Sequence, residues 1–407
     1  MASRILIVSM TFPLPLKAGG RIRVFHLIKR LAARHTITLL CLADSPADVE
    51  RHLPDLAPYC ERVEAVPWRP GRWALLGRLL RTWPLWLRGI PLVVLNKRSP
   101  ELARRLRTLI RDGAFDVVQI EWIQMAQHVG EAEWPTLARR GVLVEHDVAW
   151  LPLERRAEMS RGPVRWFWRG EARRMRRYEE TTARRFARVV AVSPDDAERL
   201  RRAGAARVEV VPNGVDVAHY TDAPRPEKAP RTLVFIGWLR HGPNVDAILH
   251  FLREIFPRVA RDLPDVRLTI VGAPVGSAVR RAASAWSSVE LAGYVEDVRP
   301  LLRAATASVV PLRIGGGTRL KILESMAAGT AVVSTSIGCE GLDAEPGRHL
   351  LVGDGPDAFA REVIRVVTDP ALRARLERDA LAFVRSRYEW SSIAETMDGV
   401  YQAMGPR

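Results

Sequence analysis

The sequence predicts an α/β protein of two doubly wound, Rossmann-like domains, and three observations carry that expectation. Short apolar runs recur along the chain with helical stretches between them, the pattern of strands in a parallel sheet. The pattern restarts at residue 232, after a polar, proline-rich stretch (TDAPRPEKAP, 221–230) that reads as a linker by composition. A chain of 407 residues also exceeds one ordinary core, while a hydrophobic fraction of 47% can furnish two. The expected division is a first domain over 1–215, a linker over 216–230, a second domain over 231–385, and a final helical segment over 386–407 that packs back across the linker.

Residues 5–9 form a continuous apolar run typical of a central parallel strand, which opens into TFPLPLKAGG before an amphipathic helix over 21–34. Gly19 and Gly20 are therefore expected in the first strand-to-helix loop, outside a strand's carboxyl end, where open α/β sheets bind ligands. Without a GxGxxG pattern, a plain glycine turn accounts for them as well. Further strands are expected at 36–41, 63–66, 116–120, 142–145, 189–192 and 208–211. The segment VLVEHDVAW ends one of them with Glu145, His146 and Asp147, polar groups at a position suited to chemistry, although a lone histidine there can be purely structural.

In the second half, strand 232–237 ends in a glycine loop from Gly237 to Gly242 and is followed by a helix over 244–261. Strands follow at 266–271, 289–292, 307–310, 331–334 and 349–352, and the stretch 370–402 reads as helices only. Within IGGGTRLKILESMAAGTAVVS (314–334), Gly315, Gly316 and Gly317 allow close backbone approach to a ligand, and Thr318 is the expected helix cap. Such a helix start offers N–H groups to an anion, with Arg319 and Lys321 beside it. Glu324, one turn deeper, has the chemistry to accept hydrogen bonds from ribose hydroxyls. An ordinary strand-loop-helix crossover with solvated basic residues is the alternative. Lys321 is one of only five lysines among 62 basic residues, so a compact ammonium there reads as a choice suited to a diphosphate.

A net charge of +16 points to acidic partners: nucleotide phosphates, nucleic acid or an anionic lipid surface. No nucleic-acid motif occurs and the basic residues are spread out, so a nucleic-acid partner is not expected. Trp68, Trp73, Trp83 and Trp86 lie among arginines between 66 and 99 and suit either docking on an anionic bilayer or a helix pair packed on the sheet. Trp166, Phe167 and Trp168 head a second basic stretch that reads as structural. Cys41, Cys60 and Cys339 show neither disulfide nor zinc spacing, which fits a reducing compartment. The opening MASRILIVSMTF reads as a first strand rather than a leader, and no apolar stretch reaches membrane-spanning length, so a cytoplasmic protein, or one peripheral at the inner face of a membrane, is expected.

Taken together, the loop at Gly19 and Gly20, VPNGVD (211–216), FIGWLRHGPN (235–244), LAGYVEDVRPLLRAATASVVPL and GGGTRLKILESMAAGTAVVST resemble the retaining, GT-B-fold glycosyltransferases of the glycogen-synthase-like superfamily, the group 1 or family 4 type. The resemblance runs along nearly the whole chain. It implies two Rossmann-like domains facing across a cleft, and transfer of a sugar from a nucleotide-sugar co-substrate to a glycan, lipid-linked or small-molecule acceptor. Glu324 matches the second glutamate of the family's paired motif, which holds the donor ribose, whereas Gly316 stands where the first would touch the donor sugar. Lys321 matches a lysine near the diphosphate, and Arg240 the basic residue after the first strand of the second domain; the second basic residue usual there is absent, so neutralisation falls on Arg240, Arg319 and Lys321. His146 matches the histidine that faces the donor sugar, and Gly19 and Gly20 the loop that approaches donor and acceptor. No D-x-D triplet occurs, so metal-independent transfer with retention and without a cofactor is expected. A nucleotide-sugar epimerase, or a binding protein that has lost turnover, are the competing readings.

Overall fold

The structure, a computed structural model, describes residues 2–68, 83–222, 224, 226–314 and 319–405. The chain divides into two compact units, Met1–Pro212 with Ile393–Arg407, and Asn213–Ser392. Trp73, Gly315, Gly316, Gly317 and Thr318 lie outside the described residues.

In the first unit, β1 (Arg4–Ser9), β2 (Thr36–Ala43), β3 (Arg62–Pro67), β4 (Val117–Glu121), β5 (Gly141–Glu145), β6 (Arg188–Ala191) and β7 (Val208–Val210) align in the order β3-β2-β1-β4-β5-β6-β7, every pairing parallel. In the second, β8 (Thr232–Ile236), β9 (Arg267–Val271), β10 (Val289–Gly293), β11 (Ala307–Val310), β12 (Ala331–Ser334) and β13 (Leu351–Val352) align as β10-β9-β8-β11-β12-β13, again all parallel. The central strands are buried on both faces, which is why Ile5–Val8 and Leu233–Phe235 are unbroken apolar runs rather than alternating ones. Strand order reverses between β1 and β4 and again between β8 and β11, and at such reversals the connecting segments diverge and leave a crevice outside the strand ends.

Many helices start at sites chosen by side-chain chemistry. Ser45, Ser99, Ser193 and Asp369 each precede a proline and accept a hydrogen bond from the backbone N–H three residues on.

Several boundaries differ from the expectation. Gly19 and Gly20 open the helix Gly19–Leu31 instead of lying in the loop before it; Ala18 is the extended cap residue, and Gly20 is packed so tightly on Trp122 that a Cβ would lie 2.3 Å from the indole. The expected linker contains a helix, Val217–Thr221, because Asp216 accepts the His219 N–H at 3.1 Å and so starts it ahead of the prolines. The cap of Leu320–Ala327 is Arg319, not Thr318, and it makes no side-chain capping bond. The helix over 244–261 begins at Gly242 and carries a π-turn, Phe251–Ile255, before continuing as Phe256–Asp262. The last strand shrinks to Leu351–Val352, since the N–H of His349 turns back to Glu345 O at 3.0 Å.

The chain ends in two helices, Pro370–Arg387 and Trp390–Gln402. Inside the second unit, the N–H of Val215 donates to Tyr388 O (2.7 Å) and that of Val217 to the Glu389 carboxylate (3.0 Å), while the fully buried Trp390 leaves no room for a Cβ at Gly214. From Ile393 onward the residues belong to the first unit. There Asp398 pairs with His35 (3.0 Å) and Arg34 (2.8 Å), and the Tyr401 hydroxyl donates to Gln119 Oε1.

Candidate functional site

In the second unit the candidate residues converge on the strand reversal between β8 and β11. β8 ends at Ile236, so Gly237 is the first residue beyond the sheet, and Leu320–Ala327 follows β11. A Cβ on Gly237 would lie 2.9 Å from Asn244 Cγ and 3.1 Å from Lys321 Nζ, so glycine here lets the two side chains close over the strand end. Lys321 Nζ donates to Asn244 Oδ1 (2.8 Å) and lies 5.0 Å from the centre of the Phe235 ring, while Asn244 Nδ2 donates to Trp238 O (3.0 Å) and fixes the loop. Burial, reinforced by the charge of Arg319, lowers the Lys321 ammonium to about 7, against the opposing pull of Glu324. A lysine held so near neutrality gains most when an anion arrives.

Glu324 stands one turn farther along the same helix, half-buried, and accepts a hydrogen bond from the Tyr220 hydroxyl. Burial pushes its carboxyl above the ordinary range, opposed by that bond and by Lys321. Arg240 is exposed and makes no hydrogen bond or ion pair among the described residues. Arg319 is half-buried at the helix cap.

In the first unit, Gly20 and His146 meet around Trp122, which directly follows β4. Trp122 takes a left-handed backbone, φ 65°, rare for a residue with a bulky side chain, and its indole stacks on the His146 imidazole with centroids 3.8 Å apart and planes 14° from parallel. In addition, His146 Nε2 lies 2.5 Å from Glu121 Oε2. A carboxylate only accepts, so Nε2 carries the proton. Glu121 is itself held, since Gln119 Nε2 donates to its other oxygen at 2.6 Å. Burial lowers the His146 pKa against the raising effect of Glu121, which favours the neutral ring. The other ring nitrogen, Nδ1, has no hydrogen-bond partner among the described residues. Arg23 is buried behind this group and donates to Val211 O (2.9 Å) and Pro212 O (2.7 Å); burial lowers it to about 10 despite Glu121.

The family model of the group 1 glycosyl transferases matches residues 230–369, and that of glycosyltransferase family 4 matches residues 18–219. The chain belongs to these glycosyltransferases. A phosphatidyl-myo-inositol mannosyltransferase of Mycobacterium tuberculosis is 33% identical to it over 219 residues, 51% of this chain and 56% of that protein. The chain thus spans little more than half the length of that relative. A glycogen synthase of the same species is 27% identical over 421 residues, covering 98% of this glycosyltransferase and 94% of the synthase. Among solved structures, sucrose-phosphate synthase from Thermosynechococcus elongatus superposes with a TM-score of 0.71 at 17% identity, covering 99% of each chain. The Anabaena protein HepE, solved in complex with UDP-glucose, gives 0.69 at 17% identity over 98% of this chain and 100% of its own. These likenesses show the fold, two Rossmann-like domains of the GT-B kind.

Sequence reasoning singled out Gly237, Lys321, Glu324, Gly20 and His146, and this glycosyltransferase groups each with neighbours that reasoning missed: Asn244 and Tyr220 in one unit, Glu121 and Trp122 in the other. Gly19 shares the helix start with Gly20. Glu121 had a readable signal, because it is the polar end of VVQIE, an otherwise strand-like run, just as His146 follows GVLVE.

Proposed function

We propose that this glycosyltransferase moves a sugar from a nucleotide-sugar donor to a glycan, lipid-linked or small-molecule acceptor, with retention of anomeric configuration and without a metal ion. The observation that carries the reading is the convergence of Gly237, Asn244 and Lys321 at the β8/β11 reversal, one helical turn before Glu324. A diphosphate seated there meets an ammonium that its own charge fully protonates, together with Arg240 and Arg319, while Glu324, oriented by Tyr220, accepts from the ribose hydroxyls. The glycines at 315–317 and Thr318 supply further backbone N–H groups in this reading. Gly316 offers no carboxylate to the donor sugar.

In the transfer step, the bond from the anomeric carbon to the phosphate oxygen breaks and the bond to the acceptor oxygen forms on the same face. The acceptor's proton passes to the departing phosphate oxygen, and the basic groups stabilise the charge left on the diphosphate. His146, neutral and protonated on Nε2 by its bond to Glu121, offers Nδ1 as an acceptor for a sugar hydroxyl and acts by positioning. The mannosyltransferase relative names a phosphatidylinositol acceptor, which supports placing lipid-linked hydroxyls in the acceptor class.

The test is a thermal-shift screen against nucleoside diphosphates and nucleotide sugars with and without EDTA, followed by transfer assays with the ligand that binds. A ligand specific to the native state raises the melting temperature. The expected result is an EDTA-insensitive shift lost in Lys321→Ala and Glu324→Ala; the absence of any nucleotide-dependent shift would sink the reading.

A further inference from the structure

Ten large hydrophobic side chains are exposed among the described residues, and six of them, Trp83, Leu87, Met159, Val164, Trp166 and Phe167, come from two short segments of the first unit. Trp166 is 68% exposed and Leu87 63%, values unusual for side chains whose burial is worth so much. The two segments are locked together. Trp86 Nε1 donates to one oxygen of the buried Glu171 and the Leu92 N–H to the other, both at 2.8 Å. Arg174 covers the Trp86 ring at 4.4 Å, and Trp83 stacks on Trp86 with centroids 5.1 Å apart. Phe167, Glu171 and Arg174 follow the i, i+4, i+7 spacing of one face of the helix Gly162–Ala183, so Phe167 sits on the same side as the tryptophan pair. The two segments thus carry their exposed apolar side chains on one platform, anchored by a buried carboxylate rather than left to a loop.

Its charge is one-sided. No Asp or Glu occurs from 83 to 100 or from 159 to 170, whereas Arg88, Arg161 and Arg165 are exposed there. The guanidinium of Arg169 lies 5.7 Å from the Trp166 ring and that of Arg156 4.0 Å from Trp168, so the arginine stems flank the aromatic faces. Large aromatics interleaved with arginines and free of carboxylates match the boundary between acyl chains and anionic headgroups. A second copy of this chain is a poor occupant, because a two-fold contact would set the arginines against one another.

We propose that this surface seats the protein on an anionic lipid bilayer, with Trp83, Leu87, Val164, Trp166 and Phe167 entering the interface and Arg88, Arg161 and Arg165 pairing with headgroups. The inference stands on the surface itself and does not rest on the transfer reading. The test is flotation of the full chain with phosphatidylcholine vesicles that contain or lack phosphatidylglycerol, with no substrate added. Wild type should float with the anionic vesicles and not with the neutral ones. The fourfold variant Leu87→Ser, Val164→Ser, Trp166→Ser, Phe167→Ser should lose at least about tenfold in partitioning. A charge variant, Arg161→Glu with Arg165→Glu, should lose a comparable amount, and both should keep the wild-type melting temperature. Flotation of either folded variant equal to wild type overturns the proposal. So does a wild type that ignores vesicles and forms a concentration-dependent dimer which the fourfold variant abolishes, since that assigns the surface to a second copy.

Discussion

At the scale of single residues, the chemistry turns on groups held away from their ordinary protonation. Burial and the charge of Arg319 lower Lys321 to about 7, and in the proposed reading a diphosphate beside it raises that value. The group binds its proton on ligation, so affinity is full below about pH 7 and falls by about tenfold per pH unit above it, until the ligated value is reached. Nucleotide sugars suit the experiment because their diphosphate is esterified at both ends and does not titrate near neutrality. Calorimetry in two buffers of different ionisation enthalpy should show proton uptake at pH 8, absent in Lys321→Met. Gly237→Ala makes the complementary case: the new methyl meets Asn244 and Lys321, and about a tenfold loss of nucleotide-sugar affinity is expected from displacing them. Glu121→Gln replaces a group that only accepts by an amide; Gln119 Nε2 claims its carbonyl oxygen, which turns the amide NH2, a donor, toward His146 Nε2. The fall in kcat should reach about 10- to 100-fold, typical of losing an orienting partner, and the 15N shifts of His146 should report the other tautomer. An unchanged imidazole spectrum would show that Glu121 does not set the tautomer.

At the scale of elements, the sheets were legible and the contacts above their ends were not. Unbroken apolar runs such as Ile5–Val8 announce strands buried on both faces, and the local sequence suffices for them. Composition misled at residues 217–221, where a nearby run of prolines suggested a linker while Asp216 was capping a helix that carries Tyr220. Nothing local could reveal that Tyr220 bonds Glu324 or that Asn244 bonds Lys321, since the partners are brought together by strand order alone. The Trp-rich stretch of the helix Gly162–Ala183 read as structural, yet its first turns are exposed and only its later turns supply core residues such as Met175. Caps make a simple element-level test. Ser99 Oγ accepts the Leu102 N–H at 3.2 Å at the start of Pro100–Asp112, and Ser99→Ala should cost about 1 kcal/mol in denaturant unfolding without altering nucleotide binding.

At the scale of the whole molecule, the two units share a strand order but not a chain layout, because residues from Ile393 onward serve the unit that holds the N-terminal residues. Tyr401 donates to Gln119, which donates to Glu121, which holds His146, so a helix late in the chain braces a candidate catalytic group from an early strand. Tyr401→Phe strips a buried acceptor of its donor and should lower the unfolding free energy by about 1–3 kcal/mol. The order of synthesis then acquires a meaning. Ribosomes elongate at about 5–20 residues per second, so roughly 10–40 seconds separate the emergence of Pro212 from that of Ile393. Throughout that interval the nascent first unit lacks Asp398 and Tyr401, and His35 and Gln119 wait without their partners. The His146 network is therefore finished only after the second unit has been translated, which makes the early unit a natural client for chaperones.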